Sequence, residues 1–195
     1  MKMVYLKLSD IEDDLRAGGY LAAFENATDK NEMRDYFFDP HGIHGLGHMK
    51  RVLFLSLILA YLEKLKAKDI DILANCSLFH DIGRINNHAD AVHGTFSYEK
   101  AVKNNLLSDI PKDEDSQITK LIITTHCMDD SLIPTRINDF QGIEDKERGI
   151  KLLKIFKDAD GLDRIRFGGL DERYLRTEHA AELVSISETL LKDIQ

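Results

Sequence analysis

Eight histidines mark the chain, and seven of them (His41, His44, His48, His80, His88, His93 and His126) fall between Asp39 and His126. Surface histidines scatter, so several at the ends of otherwise apolar helical patterns point to a shared site. The stretch Leu78-Phe79-His80-Asp81-Ile82-Gly83-Arg84 places a His beside an Asp at the end of an apolar run. Neighbours on a helix diverge by about 100°. Both therefore reach one ion only off the helix end, where Gly83 permits the backbone to turn. Alone, the pair equally fits a cap or a surface contact. His48 opens a very apolar run one turn before Val52 and shares its core face; alone, it fits a histidine tied to solvent or backbone. Asp160 continues the stripe of Leu153 and Phe156. An acid on a core stripe needs a partner, because burying an unpaired charge is costly. A metal is one partner; Arg164 or Arg166 is another.

Together His48, His80, Asp81 and Asp160 form a mixed nitrogen and oxygen set. Such a set suits Mn²⁺, Fe, Co²⁺, Ni²⁺ or Zn²⁺ better than Mg²⁺, which prefers oxygen. Arg84, Lys157 and Arg164 stand close in sequence to these residues and could hold a phosphate, with a solvated surface charge as the plainer reading for each.

The joint pattern resembles a known family. His48-x-x-x-Val52, then Phe79-His80-Asp81-Ile82-Gly83-Arg84, then Lys157-Asp158-Ala159-Asp160-Gly161-Leu162-Asp163 is similar to the HD-domain superfamily, named for its histidine–aspartate pair. The resemblance covers about residues 42–167, with helical extensions over 1–41 and 168–195. It implies an all-α, single-domain bundle with a central divalent metal, and hydrolysis of phosphate esters or anhydrides, often of nucleotides. His41 and His44 compete with His48 in the first motif, which His48 takes because Lys50-Arg51 and Val52 follow it. Asp158 competes with Asp160, which Ala159 and Gly161-Leu162 favour. Some members bind a second metal through further histidines, and His93 and His126 are placed to supply them or to contact substrate phosphate. The implied chemistry is attack of a metal-activated water on phosphorus, with Asp81 orienting the water and His126 or His93 protonating the leaving oxygen.

The elements that must position these residues read as helices throughout. Ser9 with Glu12 predicts a capping box before a short helix ending near Gly18-Gly19. Tyr20–Phe38 predicts one or two short helices, and Asp39–Gly47 a turn. Helices are expected over about Gly47–Lys66, with Val52, Leu55, Leu59 and Leu62 on one face, and over Lys68–His80, Gly94–Leu107, Asp113–His126, Glu147–Asp160 and Asp171–Lys192. Asp130–Asp145 reads as a loop. The prolines, Pro40, Pro111 and Pro134, fall between these segments.

Composition narrows the classes. A chain of 195 residues with 43% hydrophobic and 31% charged residues is of ordinary globular make-up. A net charge of −8 disfavours binding to polymeric nucleic acid, which rests on neutralising phosphates, but not to a small phosphorylated substrate. Residues 1–8 do not read as a signal peptide, and Val52–Leu62 is too short to span a bilayer, so a cytoplasmic protein without membrane association is the simplest expectation. Cys76 and Cys127 form no C-x-x-C pair and read as inert buried thiols; a Cys127–His126 couple is set aside because helical neighbours point apart. His44-Gly45-Leu46-Gly47-His48 has a zinc-peptidase spacing but Gly45 where the catalytic Glu would stand. Two rival functions remain: a dinuclear-iron oxygenase of the same fold, and a non-catalytic ligand-binding module. The run from Asp171 onward offers a packing face for a homodimer.

Overall fold

Helix α3 (Leu46–Leu62) runs through the middle of the protein. The computed structural model describes residues 5–29, 33–108, 110 and 113–194. Every α3 residue from Arg51 to Ala60 is buried, as are His48 and Met49. The expected single apolar face is thus a helix covered on all sides, as a uniformly apolar run demands. Around it pack α2 (Tyr20–Asp29), α4 (Ala67–Phe79), α8 (Lys146–Leu162) and α9 (Val184–Asp193). Farther out, α6 (Glu114–Thr125) lies against α4 and α8, and α5 (His93–Lys103) against α6. The remaining helices, α1 (Glu12–Ala17) and α7 (Ile133–Arg136), are short. The fold is all-α; no strand occurs among the described residues.

Three polar devices set the helix ends. Asp113 accepts from Asp115 N at the start of α6, and Asp145 from Arg148 N at the start of α8. Arg148 makes ion pairs with Asp69 of α4 and with Glu114 and Asp115 of α6, at 2.6, 3.2 and 2.7 Å. One guanidinium thus ties the N-terminal ends of three helices, where carboxylates are favoured by the helix dipole. The opposite ends of α4, α6 and α8 deliver His80, His126 and Asp160 to one place.

Phe156 of α8 is fully buried and lies edge-on to the His80 and His126 rings, with centroids 5.4 and 5.9 Å away. Its removal leaves a cavity beneath both imidazoles. Phe156→Ala should therefore cost about 3–5 kcal/mol in urea unfolding; a loss below 1 kcal/mol would contradict this packing.

Two helix expectations are corrected. The capping box at Ser9 does not form: Ser9 lies within a 3₁₀ turn, Leu8–Asp10, and Asp10 accepts from Lys7 N instead. The segment Asp171–Lys192 is not one helix. Asp158, fully buried, accepts from the backbone N–H groups of Arg176 and Thr177 at 2.9 and 2.7 Å. Those donors are lost to any helix, so Leu175 is extended, and the segment is broken into the 3₁₀ turns Glu172–Tyr174 and Ala180–Leu183 followed by α9. Residues 1–4, residues 30–32 of the expected Tyr20–Phe38 helices, and Pro111 lie outside the described residues.

Candidate metal centre

His48 stands in the first turn of α3, His80 caps α4, His126 caps α6 and His93 opens α5. Asp81 follows His80, and Asp160 lies in the last turn of α8. All six converge. Donor atoms of His48, His80 and Asp160 lie within 4.8 Å of one another, as do those of His80, Asp81 and His126. His48, His80, Asp81, His93 and His126 are all buried, whereas the Asp160 side chain is 30% exposed and faces a cleft of about 1090 Å³.

The outer nitrogen of each imidazole is fixed. Nδ1 of His80 donates to Ser77 O at 3.0 Å, that of His93 to Asp90 O at 2.7 Å, and that of His126 to Ile123 O at 2.8 Å. A carbonyl only accepts, so in the neutral rings the proton is on Nδ1 and the Nε2 lone pair faces inward. Nδ1 of His48 donates to Asp163 at 2.7 Å. Yet Nε2 of His48 lies 3.0 Å from Nε2 of His80, and Nε2 of His93 lies 2.9 Å from that of His126. Two lone pairs cannot face each other so closely without a cation between them. Either a proton or a metal satisfies each pair.

Asp81 spans both pairs. Its Oδ2 is 3.5 and 3.7 Å from Nε2 of His48 and His80; its Oδ1 is 3.1 and 3.8 Å from Nε2 of His93 and His126. Asp160 Oδ1 is 3.3 Å from His48 Nε2.

The electrostatics match this demand for cations. Burial opposes ionisation of Asp81 and Asp160, but the surrounding histidines hold both well below the usual carboxylate range. Burial and the Arg166 charge work against a cation on His48, yet Asp160, Asp163 and Asp81 raise it to about 10. Burial also opposes charge on His93, which Asp81 and Cys127 raise to about 9. His80, buried and beside the other histidines, falls to about 3.

Asp163 was not foreseen as part of the site. It is fully buried and accepts from His48, from Arg51 Nε at 2.5 Å and Nη2 at 3.0 Å, and from Arg166 at 3.1 Å. It sets the tilt and tautomer of His48. Asp163→Asn should weaken metal binding by about 10- to 100-fold with the fold retained; unchanged affinity in a metal titration would remove Asp163 from that role.

The competing assignments separate only in part: donor atoms of His44, His48 and Asp81 also lie within 4.8 Å of one another. Asp158 faces the Arg176–Thr177 backbone, away from the imidazoles. His44 lies at the rim, its Nδ1 2.9 Å from Asp81 Oδ2, and His41 contacts Arg34. Of the candidate phosphate cations, Arg84 donates to Asp81 at 2.8 Å and contacts His93 Nε2 at 3.2 Å; Lys157 is paired with Asp130 and donates to Met128 O. Arg164 is exposed at the cleft and lies over the Phe167 ring.

The chain turns through Gly83 after α4 as expected, without a left-handed conformation; Gly83 also allows α5 to approach, and its N–H donates to Ser97 Oγ at 2.9 Å. One further expectation changes. Cys76 is a buried thiol, but Cys127 is half-buried and lies beside the histidines. Burial opposes the thiolate, and His93 and His126 outweigh it, bringing Cys127 to about 7. Cys127 lies beyond the end of α6, so helical divergence no longer keeps it from the cluster. The contact is tertiary, made where Gly94 lets α5 close on Ile123.

A helical bundle with a buried histidine–aspartate cluster is the class these features define. The HD domain family matches residues 45–165, more than half of the chain, and the chain belongs to that family. Its members are mostly metal-dependent hydrolases that bind divalent metals. No curated protein and no solved structure matches the chain. Among the described residues, no helix is long and apolar enough to cross a membrane.

Proposed function

We propose that the protein is a phosphohydrolase of small phosphate esters or nucleotides that works with divalent transition metal. The observation that carries this reading is the pair of close Nε2···Nε2 contacts bridged by Asp81. His48, His80, Asp81 and Asp160 would hold one ion; His93, His126 and Asp81 would hold a second. This assigns His93 and His126 to a metal rather than to protonating the leaving group, because their outer nitrogens are anchored as those of His80 are. When bound, such ions lower the pKa of water and neutralise charge on a phosphoryl group. The chain's own residues do the rest. Asp81, ionised and ringed by imidazoles, orients the water. Asp160 faces the cleft where substrate enters, and Arg164 at its rim attracts the anion.

A second reading has one observation in its favour. A carboxylate between two imidazole pairs also suits two irons, as an oxygenase would use.

The deciding experiment is metal analysis of protein purified without added metal or chelator, followed by assay of phosphate esters and nucleotides with Mn²⁺, Co²⁺, Ni²⁺ or Zn²⁺. Metal-dependent phosphate release supports the proposal. Two irons with oxygen-dependent turnover would support the oxygenase, and metal binding without turnover a ligand-binding module.

The pH dependence follows from the histidines. Folded His48 and His93 keep their protons up to about pH 10 and pH 9, so a metal must displace them. Apparent metal affinity should therefore rise with pH, about tenfold per unit for each proton displaced. Calorimetry between roughly pH 6 and pH 8 would show this as proton release; a flat profile would contradict it.

A further inference from the structure

The cations around the cleft are mostly committed to protein partners. Arg84 is held by Asp81, His88 O and His93, and Lys157 by Asp130 and Met128 O. Arg176 is shared between Asp130 and Asp158. Arg166 differs. Its Nη1 donates to Asp163 at 3.1 Å, but its Nε is buried with no hydrogen-bond partner, and Nη2 has none among the described residues. Nε and Nη2 form one edge of the guanidinium, the edge that grips a phosphate with two parallel N–H···O bonds. The side chain is only 7% exposed and lines the cleft. Its plane is fixed from two sides: Asp163 holds Nη1, and the Phe167 ring lies 4.3 Å from the guanidinium carbon. A buried donor left unpaired costs free energy, and a fold that keeps one calls for a partner.

We propose that Arg166 is the residue that holds the substrate phosphoryl group, through its Nε–Nη2 edge, next to Asp160. The inference rests on the phosphohydrolase reading. It replaces Arg84 and Lys157 in that role and leaves Arg164 as an outer, steering charge. The carboxylates near Arg166 (Asp160, Asp163 and Asp81) repel a free anion, so the grip works fully when the metal centre is loaded. The same guanidinium touches Asp163, which holds His48; the anion and a metal ligand are therefore two contacts apart.

The test is calorimetric binding of inorganic phosphate to metal-loaded protein, in the wild type and in Arg166→Gln, Arg166→Lys and Arg164→Gln. Arg166→Gln should weaken phosphate by roughly 10- to 100-fold, the size of lost charge-assisted hydrogen bonds. Arg166→Lys should fall between, because it keeps the charge and loses the fork. Arg164→Gln should change it by less than about threefold, as for an exposed charge. Metal content checks the fold; if the Gln variant loses metal, the Lys variant decides. Phosphate affinity within about threefold of wild type in the metal-retaining Arg166 variants, or a larger loss in Arg164→Gln, overturns the inference. Phosphate-ester turnover that ignores Arg166 would overturn it alone. A wild type that neither binds phosphate nor hydrolyses any ester would overturn the functional proposal as well.

Discussion

Asp81→Ala protein should keep its helical circular dichroism and lose both bound metal and turnover. Asp81 lies against His44, His48, His80, His93, His126 and Arg84, more of the cluster than any other residue touches. Without it, each imidazole pair lacks its shared carboxylate and no group spans the two. The loss of metal removes several kcal/mol of transition-state stabilisation. At about 1.4 kcal/mol per decade, turnover should fall on the order of 10³-fold or more. Asp81→Asn, which keeps the shape and removes the charge, should lose metal similarly. Measured activity near wild type in pure Asp81→Ala would sink the proposed mechanism, whichever ester is used.

Gly83→Ala should destabilise the whole protein. A Cβ at Gly83 would come within 2.1 Å of Ser97 N and 2.4 Å of Phe96 C, both backbone atoms of α5. Backbone cannot rotate aside as a side chain can, so α5 must move or the end of α4 must distort. Overpacking of this kind costs typically 1–3 kcal/mol and more where backbone is struck, so a loss of about 3 kcal/mol is expected. For a chain of this size that lowers the melting temperature by roughly 6–12 °C. Gly169→Ala is the control, because a Cβ there meets nothing within 4 Å. Equal melting of the two variants would show that the α4–α5 junction tolerates more movement than its contacts imply. Since Asp81 and Arg84 flank Gly83 and both touch His93 at the start of α5, a shift there also drags His93 away from Asp81.

The main helices were legible because their apolar periodicity is strong. Residues 52–59 and 152–156 could hardly be read otherwise. The clustering of the candidate site was legible because His48, His80 and Asp160 each end or begin such a pattern on its core side, and the structure brings them together with Asp81. The residues missed share a different property: their roles depend on partners far away in sequence. Asp163 meets Arg51 and His48 across more than a hundred residues. Asp158 breaks the expected C-terminal helix by capturing Arg176 and Thr177, and nothing in the local pattern of 171–192 signals that capture. Lys157 reads as a free cation until Asp130 is placed beside it, and Arg166 as an ordinary ion pair until its unpaired edge is seen. Cys127 was set aside by a rule valid inside a helix, whereas it lies beyond one.

The enclosure of α3 bears on how the centre would come apart. A helix buried on every side exposes its amides to solvent only when the whole fold opens, so its hydrogen exchange tracks global unfolding. His48 rides on that helix, and His80 ends the neighbouring α4. His93 and His126 belong to α5 and α6, the outer pair, which can open locally at a smaller free-energy cost. The two halves of the cluster therefore differ in permanence: local opening would part His93 and His126 from the cluster while the fold persists, whereas His48 and His80 part only when the whole fold opens.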